Sequence, residues 1–195
     1  MTDDEPFFRY QAHSRAYLAR AREHLAGFDA EGDVASFFYA ALELRLGIEA
    51  RVSDYLHCAL KNLNKDLKKL SDYTASRLLK RLAEINPDYE QPSVLRITSQ
   101  QSGDTTVLRY TPVTQHLAAA HGKLGELLHY KFFLNNEHWL LKKPLGGTPH
   151  RSLADYRLFL AETVSGLEKA TAGQLLGHPQ FTAIVDELLS ESDKE

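Results

Sequence analysis

The sequence predicts a mainly α-helical bundle of five to six helices with one inserted β-hairpin. Three observations support this fold class. Apolar residues recur at three- and four-residue steps over most of the chain, which is the period of an amphipathic helix. Short β-branched runs replace that pattern at about residues 93–111. The length of 195 residues, 43% of them hydrophobic, is sufficient for one globular domain. We therefore expect residues 1–195 to form a single domain with the hairpin as an insertion.

Two long helices joined by a short turn are predicted for the N-terminal part of the chain. The first should run from about Pro6 to Ala26, where Gly27 can end it because glycine tolerates the left-handed cap conformation. After a turn at residues 29–32, the carboxylate of Asp33 is a good N-cap for a second, longer helix. Consecutive long helices with a short connection pack as an antiparallel hairpin.

The elements that follow are predicted from period changes and from proline and glycine. A third helix should span about residues 66–85 and end at Asn86-Pro87, since proline disfavours helical backbone in the residue before it. Ser152 and Asp155 nearly match the capping-box pattern, which predicts the start of a helix at Ser152. The later elements are strands at 93–98 and 105–110 about a turn at Gly103, a fourth helix from Thr111-Pro112 to about Tyr130, a loop at 135–151, a fifth helix from Ser152 to about Ala170 and a short sixth helix from His178-Pro179.

Composition limits the kinds of site that the sequence can form. Cys58 is the only cysteine, so an intramolecular disulfide and a cysteine-based zinc site are excluded within this sequence. No two of the neighbouring histidines have the four-residue spacing of a metal-binding helix face; they are His116, His121, His129 and His138. We expect no metal and no cofactor. No apolar run of about 18 residues and no signal-peptide pattern occurs, which predicts no membrane span and a cytoplasmic location.

The first two predicted helices resemble those of a known family. Ala16 and Leu25 are followed by Gly-Asp-Val-Ala-Ser-Phe-Phe-Tyr-Ala-Ala-Leu-Glu-Leu-Arg at residues 32–45, and the likeness to HEPN-type domains extends over about residues 16–60. The resemblance implies a helical bundle that often dimerises and is associated with RNA. It implies either a metal-independent ribonuclease or a non-catalytic RNA-binding or scaffolding version, in a bacterial defence or toxin-type system.

Active members of that family carry an arginine followed, after four to six residues, by a histidine. Arg51 and His57 fit this spacing on the predicted second helix, and Arg109 and His116 fit it across a strand end and a proline. The resemblance implies that the histidine serves as acid or base for attack by a ribose 2′-hydroxyl, while the arginine stabilises phosphate charge. Arg51 and His57 are therefore the candidate catalytic pair.

Two other groups of charged residues are candidates for binding. Arg45 lies within the apolar stripe of the second helix, with Glu49 one turn further on. The two either form an ion pair with packed stems or line a polar pocket between helices. In a chain of net charge −3, basic residues concentrate between residues 61 and 81, as a solvated helix face or as a phosphate-facing surface. The candidates in this stretch are Lys61, Lys65, Lys68 and Lys69.

Three functions stay open at this point. The first is association with RNA, and the second is a non-enzymatic module that docks a partner protein through the hairpin or the basic helix. The third is a small-molecule-binding bundle with Arg45 and Glu49 in its pocket. The family resemblance and the high aromatic content, nine Phe, nine Tyr and one Trp, predict a homodimer or a complex with another protein.

Overall fold

The structure of the chain, a computed structural model, describes residues 13–62, 75–98, 103–128, 153–182 and 185. It confirms the mainly helical fold with an antiparallel β-hairpin. The described elements are α1 (Ser14–Glu31), α2 (Val34–Asn62), α3 (Ala75–Ile85), β1 (Ser93–Thr98), β2 (Thr105–Tyr110), α4 (Gln115–Leu128), α5 (Leu153–Thr171) and two 3₁₀ turns at Leu175–Gly177 and Pro179–Phe181. Within these ranges, no helix combines the length and apolar character that crossing a membrane requires.

Helices α1 and α2 form the predicted antiparallel pair. The Arg20 Nε donates to Glu43 Oε2 over 2.9 Å, and the rings of Phe28 and Phe37 lie 5.2 Å apart between centroids. Contacts therefore move backward along α2 as they move forward along α1, which requires antiparallel axes. Helix α2 continues without a break through Asn62, as the sequence predicts.

The turn between α1 and α2 lies later than predicted. Gly27 does not end α1, because its backbone stays helical, and the helix continues through Glu31. Gly32 ends it instead with φ 70°, and its N–H donates to the Phe28 carbonyl over 2.8 Å. Only glycine adopts this left-handed conformation without strain. Asp33 is the N-cap as predicted, accepting from the next helical amides over 3.0 and 3.1 Å.

Helix α4 begins at Gln115 rather than at the predicted Thr111-Pro112. The reason is that Thr111 is held by the end of α5. Its hydroxyl donates to the Ala170 carbonyl over 2.9 Å and accepts from the Gly173 N–H over 2.8 Å. Thr114 lies nearer the helix start, where its hydroxyl accepts from the Leu117 N–H over 3.3 Å. Other predicted segments, at residues 6–12, 66–74, 129–130 and 135–151, lie outside the described residues.

Helix α2 is the centre of the core, since it packs against all the other described helices. Burying each large apolar side chain stabilises the fold by about 1.5–3 kcal/mol. The largest fully buried side chains are Phe37, Leu44, Ile48, Val52, Leu56, Leu124, Leu127, Leu160, Leu167 and Phe181.

The hairpin pairs as predicted and is fastened to the bundle along β2. Its register runs from Ser93 opposite Tyr110 to Thr98 opposite Thr105. The chain after α5 lies so close to β2 that a Cβ on Gly173 would come within 2.2 Å of the Arg109 carbonyl oxygen. Because an isolated hairpin is marginally stable in water, we expect this close backbone contact to help hold the hairpin against the bundle.

Candidate functional site

Arg51 is buried and binds main-chain carbonyls. Its side chain emerges from α2, the residue is 8% exposed, and its Nη2 donates to the Gly173 carbonyl over 3.0 Å and to the Thr111 carbonyl over 3.4 Å. Burial lowers the pKa of this guanidinium, which nonetheless keeps its charge. Arg15 of α1 donates in the same way to the Thr171 carbonyl over 3.1–3.2 Å. Arg15 thus binds the last carbonyl of α5, where the helix dipole is negative, and Arg51 binds the chain just after this helix.

His57 does not share this environment. It is exposed on α2, whereas the guanidinium of Arg51 is enclosed by the carbonyls of Thr111 and Gly173. The alternative pair is divided between two elements, with Arg109 on β2 and His116 in α4. Arg51 therefore has a structural role in this fold, and the catalytic assignment of Arg51 and His57 stays a prediction.

Arg45 and Glu49 meet, and a third residue joins them. Glu49 Oε1 lies 3.5 Å from Arg45 Nε and 2.5 Å from the Nε2 of His121 on α4. His121 is only 4% exposed at its side chain, against 25% for Glu49 and 32% for Arg45. Gly125 leaves room for this cluster, since a Cβ there would lie 2.5 Å from Arg45 Nη1.

The chemistry of this cluster is that of a polar link between α2 and α4. The His121 ring is buried and its Nε2 contacts Glu49, so the imidazole is not accessible to a substrate. The signal that could have identified His121 is its place on the apolar stripe of α4, between Leu117 and Leu124. No group of three metal-ligating side chains occurs in the parts of the chain that the structure describes.

The basic stretch is described only in part. Lys61 lies in the last turn of α2, but its side chain, with Lys65, Lys68 and Lys69, falls outside the described residues. The described basic side chains of the stretch are exposed on α3, where Arg81 pairs with Glu84 over 2.9 Å. The opposite side of α3 is buried in the core, so this part of the stretch is a solvated helix face.

The hairpin has one face toward the bundle and one toward solvent. We call the solvent side the outer face; it consists of Val94, Arg96 and Thr98 on β1 and Thr105, Val107 and Arg109 on β2, all exposed. Side chains directly opposite in an antiparallel pair point to the same side. The pairs are Val94 with Arg109, Arg96 with Val107 and Thr98 with Thr105.

An aromatic cluster under the hairpin sets which face points outward. The rings of Tyr110 and His178 meet edge to face, with centroids 4.7 Å apart, and Tyr110 also contacts Tyr55 of α2 at 5.3 Å. Burial raises the pKa of Tyr55 to about 12 and lowers the pKa of His178 below its ordinary 6.5. The buried hydroxyls therefore stay protonated and the imidazole stays neutral, as a packed core requires.

Arginines on the helices and on the hairpin differ in their partners. Arg96 and Arg109 make no hydrogen bond or ion pair through their guanidinium groups with any other residue that the structure describes. Arginines of the helices bind within the chain: Arg15 to the Thr171 carbonyl, Arg20 to Glu43, Arg22 to Glu168, Arg45 to Glu49, Arg51 to the Gly173 carbonyl, Arg81 to Glu84 and Arg157 to Asp29. Arg96 was not among the candidates predicted from the sequence, although strand alternation places it on the same face as Arg109.

A shallow groove of about 480 Å³ lies between α4 and α5. Its floor is apolar and its rim carries charges of both signs, so its lining favours no one class of ligand. The groove is lined by Thr114, His116, Leu117, Ala119, Ala120, Lys123, Asp155, Leu158, Phe159, Glu162, Thr163 and Gly166.

The chain was compared with protein-family models, with curated proteins and with solved structures, and nothing in any of the three matches it. The resemblance of residues 16–60 to HEPN-type domains therefore stays a prediction.

Proposed function

We propose that the protein is an RNA-binding, HEPN-like helical protein that holds RNA without cleaving it, in a bacterial defence or toxin-type system. One observation carries the proposal: Arg96 and Arg109 lie exposed on one face of the hairpin, and their guanidinium groups have no partner among the described residues. Guanidinium groups form strong, often bidentate hydrogen bonds with phosphate. Two arginines available on one surface can therefore contact two phosphates of a nucleic acid backbone.

The geometry of the outer face suits a chain of phosphates. Arg96 and Arg109 are diagonal neighbours across the two strands, which sets their backbones about 7–8 Å apart. Their long side chains can reach successive phosphate groups from that spacing. The outer face carries no carboxylate, so nothing on it repels the ligand.

The non-catalytic version is favoured by the position of Arg51. A ribonuclease of the kind that the resemblance implies needs its arginine at a groove that substrate can reach. Arg51 is 8% exposed and bound to the Gly173 carbonyl, and freeing it would leave that buried carbonyl without its donor. RNA recovered from the complex on a denaturing gel should be intact. Cleavage that is lost in His57→Ala would instead establish the ribonuclease version.

The test of binding compares two double variants that remove the same charge. Labelled RNA is titrated with the wild type, with Arg96→Gln/Arg109→Gln, and with Arg22→Gln/Arg157→Gln as the control. The hairpin variant should bind at least about tenfold more weakly, since hydrogen bonds to charged groups contribute about 1.5–3 kcal/mol each. The control should bind like the wild type, because its arginines pair with Glu168 and Asp29. Equal losses in both variants would contradict the proposal.

A protein partner is the second candidate, and the exposed valines of the outer face favour it. Val94 and Val107 are 56% and 43% exposed, and apolar side chains beside arginines are also typical of the core of a protein interface. If the wild type binds no RNA at low salt, docking of an acidic partner protein becomes the better account of the same surface.

We also propose that the chain assembles, as a homodimer or with a different protein. Tyr39 and Leu42 lie three residues apart on α2, 55% and 40% exposed, so they share one helix face. Light scattering of the purified chain at micromolar concentration should give about twice its mass of 22.0 kDa. A single-chain mass, with no partner bound in cells, would contradict assembly.

A further inference from the structure

The outer face of the hairpin contains arginine, valine and threonine and no aromatic ring. Proteins that bind single-stranded RNA splay its bases and stack them on aromatic side chains. Tyr110, on the other face of β2, and Tyr89, whose carbonyl accepts from the Tyr110 hydroxyl, are 2% and 4% exposed. Among the residues that the structure describes, the bases of a single strand therefore find no ring to stack on at this surface.

A duplex makes different demands, which the outer face meets. In A-form RNA the bases stay stacked inside, and proteins contact the phosphates and the 2′-hydroxyl groups across the wide, shallow minor groove. Arg96 and Arg109 supply the cations for the phosphates. Thr98 and Thr105 lie on the same face, at the end of the strands next to the turn. The next residue on that face is Arg96 on β1 and Val107 on β2, each about 7 Å away along its strand.

The two threonine hydroxyls form a matched pair. Thr98 Oγ1 and Thr105 Oγ1 lie 3.0 Å apart and both residues are exposed. One hydroxyl donates to the other, so the pair keeps one free O–H and several acceptor lone pairs. A ribose 2′-hydroxyl, which donates and accepts, can use both. Deoxyribose cannot, because it lacks that group.

We infer that the outer face takes double-stranded RNA, with Arg96 and Arg109 on phosphates and the Thr98–Thr105 pair on a 2′-hydroxyl of the minor groove. This inference rests on the proposed RNA binding and adds the form of RNA and the residues that distinguish it from DNA. The threonine pair determines specificity, while the arginines supply most of the affinity.

The experiment uses the full chain and three labelled probes of one sequence: an RNA duplex of about 20 base pairs, a length of the order that duplex-binding domains cover, its single RNA strand, and the matching DNA duplex. The RNA duplex should bind tightest. Thr98→Val/Thr105→Val should lower its affinity about tenfold, as expected for one lost hydrogen bond of ordinary strength, and bring it to the level of the DNA duplex. Valine keeps the β-branched shape that strands favour.

Two matched variants complete the design. Thr106→Val changes a threonine opposite Ile97 on the other face of the hairpin and should leave all three affinities unchanged. Thr98→Ser/Thr105→Ser keeps both hydroxyls and should retain the preference for RNA, which separates their chemistry from the folding of the hairpin.

Each outcome has a distinct meaning. Tighter binding of the single strand would overturn the inference and leave RNA binding intact. Equal binding of RNA and DNA duplexes by the wild type would overturn the role of the threonine pair. Absence of binding to every RNA probe would overturn the proposed function itself.

Discussion

Arg51 and Arg109 both bind the short stretch of chain after α5, Arg51 through its side chain and Arg109 through its backbone. Arg51 reaches it with its side chain, which donates to the Gly173 carbonyl from inside the bundle. Arg109 reaches it with its backbone, whose carbonyl accepts from the Gln174 N–H over 2.6 Å and whose N–H donates to Gln174 Oε1 over 3.1 Å. Its guanidinium is left on the outer face of the hairpin.

The same residue type thus stabilises the fold in one region and is available for recognition in another. A buried guanidinium must be bound, because an unpaired charge away from water is costly. A guanidinium on the outer face of the hairpin costs nothing to leave unpaired, because water solvates it. The buried Arg51 is therefore tied to the fold, while the guanidinium groups of the hairpin remain available to a ligand.

The largest expected effect is on the free energy of unfolding of the Arg51 variant. Arg51→Leu removes the donor from the buried Gly173 carbonyl and from the partly buried Thr111 carbonyl, and we expect a loss of about 2–4 kcal/mol. Arg109→Leu should change stability by less than about 0.5 kcal/mol. Urea denaturation of both variants measures the contrast, and similar losses would remove the distinction between the two regions.

The second effect concerns the backbone contact that holds the hairpin. A Cβ at Gly173 would lie 2.2 Å from the Arg109 carbonyl oxygen, so Gly173→Ala must displace main chain and should cost about 2–3 kcal/mol. Gly122 is the matched control, since a Cβ there meets nothing within 4 Å on α4. Gly122→Ala should stabilise the protein by about 0.5–1 kcal/mol. A neutral Gly173→Ala would mean that the hairpin is not fastened at this point.

A third, smaller effect is a dependence of stability on pH through His178. Burial lowers the pKa of His178 in the folded state below 6.5, so the unfolded chain binds the proton more readily. The contribution of His178 to the free energy of unfolding is fully present above about pH 6.5. It is lost as the pH falls toward the pKa of His178 in the folded state. His178→Gln should be less stable at pH 7.5 and should show a flatter decline in thermal melts between pH 7 and 5. If the decline of stability between pH 7 and 5 were as steep in His178→Gln as in the wild type, a group other than His178 would be responsible for it.

The smallest effect is expected at the exposed valines. Val94→Thr and Val107→Thr keep a β-branched side chain on the outer face and should change the melting temperature little. Substitutions toward the bundle, such as Leu95→Ala, should lower it more, because Leu95 is partly buried on the opposite face. A large effect at Val94 would indicate that the outer face is covered.

Local patterns predicted much of the fold because they depend on near neighbours. The N-cap at Asp33, the end of α3 before Pro87 and the register of the hairpin follow from residues within a few positions. The end of α1 was predicted at Gly27 instead of Gly32, because either glycine could adopt the cap conformation and only the packing against α2 selects one. The start of α4 was predicted too early, because Thr111 is bound by α5, far along the chain.

The polar clusters could not be predicted from spacing alone. His121 meets Glu49 across 72 residues, and Arg51 meets Gly173 across 122 residues. Which arginines are bound and which are available depends on these tertiary contacts. Strand alternation does predict that Arg96 and Arg109 share a face, but not that the face lacks an acidic partner.

The salt dependence of RNA binding tests directly whether the hairpin arginines contact phosphate. The logarithm of the association constant is measured against the logarithm of salt concentration for the wild type, Arg96→Gln/Arg109→Gln and Arg22→Gln/Arg157→Gln. Each phosphate contact that is lost reduces the slope by about 0.7–0.9, so the hairpin variant should have a slope shallower by about 1.4–1.8. The control variant should keep the wild-type slope. Equal slopes for the wild type and the hairpin variant would contradict the claim that the hairpin arginines bind phosphate.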